Sequence, residues 1–198
     1  MIPKIIFDLS EVLILGLVGI EKPLSSLVST PKTEILKCFG GQLLEQVCRG
    51  NMTEDAYLQQ IIANEKWNIQ PETLKWVIRN NFHQEIEGTV PILMNLSAKY
   101  DIVLLSDHAR EWVSYIKTIH PFLSVFERTF FSYELGKTKK NPHTFLEVLE
   151  RMAYSDSECL LIDDSPKNIE LAASVGISGI QFTNAQQLHQ ELAKRQVL

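Results

Sequence analysis

Three apolar runs of the chain stop on acidic residues. Ile5-Ile6-Phe7 stops on Asp8, Ile102-Val103-Leu104-Leu105 on Ser106-Asp107, and Cys159-Leu160-Leu161-Ile162 on Asp163-Asp164. Strands buried on both faces of a parallel sheet read as unbroken apolar runs, and the carboxyl ends of such strands are where open α/β sheets place ligands. A carboxylate there is costly to bury unless it is paired or bound to a metal. The adjacent pair Asp163-Asp164 repels itself without a cation between or beside it. If the three runs are parallel neighbours, their ends converge on one small acidic site.

The rest of the chain supplies elements able to hold those ends together. After strand one (5–7), residues 15–87 contain no comparable apolar strand. Helix starts are signalled at Thr30-Pro31-Lys32-Thr33-Glu34, at Asn51 to Asp55 and at Gln70-Pro71-Glu72, and stops at Gly40-Gly41 and Gly50. Tyr57, Leu58, Ile61 and Ile62 fall at helical spacing, as do Leu74, Val77 and Ile78. This stretch is expected to be an insert of four or five short helices.

From Gly88 helices and strands alternate. The expected helices are 90–100, 108–119, 142–152, 165–175 and 184–195; the expected strands are 101–105, 128–131, 158–162 and 177–182; residues 132–141 are expected to be a loop. Such alternation predicts a Rossmann-like α/β fold with a parallel sheet and right-handed crossovers. The expected division is a core of 1–14 and 88–198 with the helical insert, 15–87, after the first strand.

Composition narrows the classes of function. At 198 residues, 45% apolar and 22% charged, the chain resembles an ordinary globular protein with one sizeable core. A net charge of -5 gives no footprint for nucleic acid or an anionic membrane. The longest apolar run, Val12 to Ile20, is about half of the ~20 residues a membrane span needs. Asp8 and Glu11 precede it where a signal peptide carries positive charge. Cys38, Cys48 and Cys159 lack metal-ligand or redox spacing and are expected to be reduced core thiols of a cytoplasmic protein.

Four segments, in order, resemble the haloacid dehalogenase superfamily of hydrolases. Phe7-Asp8-Leu9-Ser10-Glu11-Val12-Leu13 is similar to its F-D-x-D-G-V-L, and Leu105-Ser106-Asp107 to its second motif. Gly136-Lys137-Thr138-Lys139-Lys140-Asn141-Pro142 is close to G-x-x-K-P-D-P, and Ile162 to Ile169 carries the fourth motif, beginning Asp163-Asp164-Ser165-Pro166. The insert sits where one subgroup carries a helical cap, a group that includes bacterial sugar-phosphate phosphatases and the phosphatase domain of soluble epoxide hydrolase. The resemblance also implies that strands one, two and four lie side by side.

The resemblance implies roles residue by residue. Asp8 is the expected nucleophile and a magnesium ligand, joined by the Ser10 backbone carbonyl and Asp164. Ser106 and Lys139 are expected to hold phosphate, with Asp107 beside them; Lys139 also stabilises the transition state. Lys137 and Lys140 are expected to be solvated. Asp163 and Asn168 support the site from behind. His108, at an expected helix start, is taken for a surface residue. Trp67, Trp76 and Phe82 are candidate lid residues of the insert.

Two positions depart from the family pattern. Ser10 stands where active phosphatases usually carry the Asp that protonates the leaving group, a service typically worth about 10²–10⁴-fold. Glu11 stands where a turn glycine usually sits, and either shifts the turn or faces solvent. The expected activity is a Mg²⁺-dependent phosphatase acting on a small phosphorylated metabolite, slow or restricted to good leaving groups, with no nucleic-acid or membrane partner, as monomer or homodimer. The alternatives are a phosphate-binding protein impaired in turnover and a metal-free dehalogenase, which has little use for Asp163-Asp164.

Overall fold

Each of the three apolar runs is a strand of one parallel sheet. The computed structural model describes residues 4–198, so residues 1–3 of the expected core lie outside the described part. Strands β1 (Lys4–Phe7), β2 (Ile102–Ser106), β3 (Arg128–Phe131), β4 (Cys159–Asp163) and β5 (Ser178–Gln181) are ordered β3-β2-β1-β4-β5. Every neighbouring pair is parallel. The register sets Phe7 opposite Leu104 on one side and Ile162 on the other. Asp8, Ser106-Asp107 and Asp163-Asp164 therefore leave the sheet side by side at one edge.

Between β1 and β2 the chain forms α1 (Glu21–Leu24), α2 (Lys32–Cys38), α3 (Gly41–Cys48), α4 (Glu54–Glu65), α5 (Pro71–Phe82) and α6 (Thr89–Ser97). Five of these lie in 15–87, within the expected count. Thr53 caps α4, accepting from the Ala56 amide at 3.2 Å, and Pro71 opens α5 with its fixed φ and missing N–H. Where the chain enters and leaves this stretch, the two passages pair: Leu15 N–H donates to Gln84 C=O at 2.8 Å and Ile86 N–H to Leu13 C=O at 2.9 Å. The apolar run Val12 to Ile20 is core in its greater part, with Val12, Leu13, Ile14 and Ile20 fully buried. Among the described residues no helix is long and apolar enough to cross a membrane.

The remaining helices are α7 (Arg110–Ile119), α8 (Ser132–Leu135), α9 (His143–Met152), α10 (Pro166–Ser174) and α11 (Ala185–Lys194), with 3-10 turns at Pro121–Val125 and Asp156–Glu158. Two expectations are corrected. Residues 132–141 are not all loop, because Ser132–Leu135 makes one helical turn that Gly136 ends at φ 68°. The helix expected from His108 starts at Arg110, leaving Asp107 to Ala109 as a short extended link.

Alternate residues of the strands divide between two apolar clusters. Ile6, Val103, Leu105 and Leu161 face one side with Phe145, Val148 and Ala172. Ile5, Phe7, Leu104 and Ile162 face the other, where the cluster continues without a break through Trp112 and Phe82 into Tyr57, Leu58, Leu74 and Ile78 of the insert. The insert is thus packed against the sheet by the same contacts that form its own interior. Cys48 and Cys159 are buried free thiols; Cys38 is only half-buried, its thiol directed at the Glu34 carbonyl of its own helix.

Candidate active site

The strand ends gather the acidic side chains. Asp8 N–H donates to Ile162 C=O at 2.9 Å, extending the ladder one residue past β1. Its carboxylate Oδ1 accepts from the Leu9 amide at 2.7 Å and from Ser106 Oγ at 3.0 Å, while Oδ2 lies 2.7 Å from Lys139 Nζ. Lys139 Nζ also reaches Asp163 Oδ2 at 2.6 Å. Both Asp163 oxygens are further occupied, by the Ser165 amide at 2.9 Å and by Asn168 Nδ2 at 2.9 and 3.1 Å. Ser165 caps α10 and Pro166 starts it, which places Asn168 one turn in and aimed back at Asp163.

Lys139 comes from the loop between α8 and α9 and is 2% exposed. Both oxygens of Asp107 accept its backbone N–H at 3.1 Å, so the Asp107 carboxylate holds the lysine loop. Thr144 Oγ1 donates to Thr138 C=O at 2.7 Å and secures the same loop. Lys137 pairs with Glu147 and Lys140 with Glu45, away from Asp8.

Oxygens of Asp8, Asp163 and Asp164 lie within 4.8 Å of one another. Three carboxylates facing one ammonium leave surplus negative charge. Burial raises the Asp8 carboxyl above its ordinary range, and Asp163 and Asp164 add to this against Lys139. Burial, then Asp163, raises Asp164 as well. Burial pulls the Lys139 ammonium down, but Asp163, Asp8 and Asp107 outweigh it and push it up. Asp163 is saturated by protein donors, whereas the Asp164 carboxylate accepts from no described side chain, only from the backbone amides of Asp164 and Ser165, and no described loop amide donates to the Ser10 carbonyl. Hard oxygens with spare lone pairs and excess negative charge suit a hard divalent cation.

His108 was expected at the surface and is buried, 2% exposed, between the edges of Phe82 and Trp112 with ring centroids 6.3 Å from each. The extended link 107–109 carries it inward, and its backbone N–H donates to Ser132 Oγ at 3.0 Å. Burial pushes the imidazole down to about 3, so it is neutral. Its tautomer follows from the partners. With Asp8 ionised, Ser106 spends its single hydroxyl proton on Asp8 and can only accept from His108 Nδ1, 2.9 Å away. Nδ1 therefore carries the proton and Nε2 accepts, and Ser10 Oγ donates to it at 3.0 Å. A directed chain runs from Ser10 through His108 and Ser106 to Asp8. A pattern in the sequence could have found it: Ser10 follows Asp8 by two residues and His108 follows Ser106 by two, the spacing that returns extended backbone to one face.

The Glu11 carboxylate turns back onto the chain and does not point into solvent. It adopts φ 61°, the left-handed conformation a glycine would take, and its Oε1 accepts from the amides of Gly16 at 2.9 Å and Val18 at 3.2 Å. A Cβ on Gly16 would sit 2.6 Å from Ser10 Oγ, so glycine is required there for Ser10 to keep its place.

A cavity of about 200 Å³ opens beside this chain, walled by Leu17, Leu44, Cys48 and Phe82 of the insert and by Trp112 and His108. Of the three candidate lid aromatics only Phe82 reaches it. Trp67 is buried against Phe39 and donates to Thr30 Oγ1, and Trp76 is 64% exposed on another face.

The family profile described as "Hydrolase: haloacid dehalogenase-like hydrolase" matches residues 5–176. The chain is 23% identical to the chloroplast flavin mononucleotide hydrolase 1 of Arabidopsis thaliana, over 97% of this chain and 77% of that one. It is 21% identical to D-ribitol-5-phosphate phosphatase of Bacteroides thetaiotaomicron, over 97% of each. A HAD family enzyme of Bacteroides thetaiotaomicron crystallised with magnesium and inorganic phosphate superposes with TM-score 0.77 at 22% identity, covering 93% of this chain and 96% of that one. A dehalogenase in an intermediate complex superposes with TM-score 0.73 at 12% identity, over 92% and 85%, a likeness of fold alone. With a profile match over most of its length and the acidic strand ends in place, the chain belongs to the haloacid dehalogenase-like hydrolases.

Proposed function

We propose that this hydrolase is a magnesium-dependent phosphatase that removes phosphate from a small phosphomonoester through an aspartyl-phosphate on Asp8. The observation that carries the reading is the contact set of Asp8, Lys139 and Asp163, with Asp164 within metal-sharing distance at the same sheet edge. The phosphatases among the relatives, and the magnesium and phosphate held by the similar Bacteroides enzyme, support it.

Asp8, Asp164 and the Ser10 carbonyl would hold the cation, with Asp163 and Asn168 bracing them. When bound, magnesium would neutralise carboxylate and phosphoryl charge together. Asp8 is oriented for attack by three donors: the Leu9 amide, Ser106 and Lys139. An incoming phosphoryl oxygen would meet the Lys139 ammonium, placed before the substrate arrives, and would compete with Asp8 for the single Ser106 proton. Asp107 keeps Lys139 in position through its amide and is a positioning residue in this reading. Residues 15–87 act as a cap that supplies one wall of the substrate cavity.

The test is release of phosphate from p-nitrophenyl phosphate with Mg²⁺. Activity abolished by chelation and by Asp8→Asn is expected. Activity unchanged in Asp8→Asn would overturn the reading. A second reading, phosphate binding with impaired turnover, is favoured by one observation: the Ser10 proton is already given to His108. Turnover in Ser10→Asp but none in the wild type would select that reading.

A further inference from the structure

We infer that the alcohol released at this site is compact and apolar, a single ring or a hydrocarbon of that size, and not a polyol or a fused ring system. The inference rests on the phosphatase reading and concerns what occupies the cavity beside Asp8.

The walls come first. Leu17, Leu44, Cys48, Phe82 and Trp112 line the cavity, and most of its surface is apolar. The polar side chains that reach it are already engaged within the protein. Ser10 gives its proton to His108, and both His108 nitrogens are used. Asp107 accepts the Lys139 amide with both oxygens. Glu45 accepts from Thr138 Oγ1 at 2.8 Å and pairs with Lys140 at 3.1 Å. Only Lys140, whose side chain is 67% exposed, keeps donors to spare. A hydroxyl group brought here from water would exchange its partners for the few lone pairs left on Glu45 and Asp107 and for Lys140 at the rim, whereas a hydrocarbon loses nothing by leaving water.

Size narrows the choice further. An apolar cavity of ~150 Å³ accommodates benzene, and pockets for larger ligands run from about 300 Å³ upward. At about 200 Å³ the space between these walls takes one ring, and three fused rings would have to project from its open mouth. Its walls are also held in place. Phe82 and Trp112 meet edge to face at 5.8 Å, and Trp112 Nε1 donates to the buried Glu54 at 3.0 Å. The Phe82 carbonyl accepts from His120 Nε2 at 2.7 Å, and the Cys48 carbonyl from Ser132 Oγ at 2.6 Å. These contacts tie the insert's walls to the sheet domain and oppose widening of the space. The relatives' names point to a flavin nucleotide and a pentitol phosphate, and neither alcohol matches these walls.

The experiment compares kcat/KM with Mg²⁺ for benzyl phosphate, ribitol 5-phosphate and flavin mononucleotide. All three release primary alcohols, so leaving-group acidity does not decide the order. Acetyl phosphate, too small to need the cavity, reports the reaction itself. Benzyl phosphate should exceed each of the other two by at least about tenfold, and Leu44→Asn should lower that ratio by about tenfold, mainly through KM. A polyol or flavin ester cleaved as well as benzyl phosphate, with acetyl phosphate turned over, overturns the inference and leaves the phosphatase reading standing. No turnover of any of the four, acetyl phosphate included, removes both. Should Leu44→Asn fail to fold by circular dichroism, the wild-type ratio still decides.

Discussion

Ser10 Oγ lies 3.0 Å from His108 Nε2, across 98 residues of chain. The pair joins the end of β1 to the link after β2, and it decides where the Ser10 proton goes. A hydroxyl that donates to a buried neutral imidazole is not presented to a leaving group. Ser10 also cannot supply an acid's proton at neutral pH, which gives the first prediction.

Ser10→Asp is expected to raise kcat on benzyl phosphate by about tenfold or more, the lower end of what a general acid supplies. The gain should be smaller on p-nitrophenyl phosphate, whose leaving group needs no proton. Initial-rate kinetics on the two esters check this. Equal gains on both would show that the new carboxylate acts some other way.

His108 makes stability depend on pH with a definite sign. Its folded-state value is pushed down to about 3 by burial, with Lys139 adding to this, while the unfolded chain has an ordinary histidine near about 6.5. As pH falls below that value the unfolded chain takes up a proton that the folded one refuses. The contribution is therefore intact above about pH 6.5 and declines at about 1.4 kcal/mol per pH unit down towards pH 3. Comparing wild type with His108→Asn isolates it from Asp8 and Asp107, whose raised carboxyls act in the opposite direction. In urea denaturation without metal, the stability difference between the two proteins should shrink by about 2 kcal/mol from pH 7 to pH 5. A constant difference would mean that His108 titrates alike in both states.

Cation binding should appear as stability. A ligand bound only by the folded state at a hundred times its Kd adds about 2.7 kcal/mol. Thermal denaturation with Mg²⁺ against a chelator is expected to show this rise in the wild type and to lose most of it in Asp164→Asn, whose amide is a poor ligand. An undiminished rise in the variant would place the cation elsewhere.

Glu11 carries two opposing effects that a pair of variants separates. Its left-handed backbone costs a non-glycine residue about 1 kcal/mol, and its carboxylate bonds to two amides. Glu11→Ala keeps the strain and loses the bonds, so it should destabilise by about 1–2 kcal/mol. Glu11→Gly loses the bonds but relieves the strain, so it should lie between alanine and wild type. Finding alanine as stable as glycine would show the φ angle to be relaxed in solution.

Much of the fold could be read along the chain because its signals are local. The run at 102–105 and the run at 159–162 are strands for the same reason as 5–7: each is apolar on both faces and stops on polar residues. The starts of α4, α5 and α10 follow from Thr53, Pro71 and Pro166, whose effect spans a single turn. The short helix at Ser132–Leu135 was missed because four residues carry no period, and the late start of α7 because His108 looks like an ordinary first-turn residue.

What the sequence by itself determined is the parallel sheet and the strand ends at Asp8, Ser106 and Asp163, since alternation and strand ends follow from chain-local chemistry. The adjacency of those ends and the place of Lys139 were implied by the family resemblance. Only the tertiary structure decided that His108 is buried between Phe82 and Trp112, that Glu11 stands in for a glycine by bonding to Gly16 and Val18, and that Leu17, Leu44 and Cys48 wall the cavity. The physical reason is one of range. Which side of an insert helix covers a strand end depends on packing between segments 58 and 84 residues apart (Trp112 Nε1 on Glu54, Ser132 Oγ on Cys48), and no periodicity within either segment encodes that meeting.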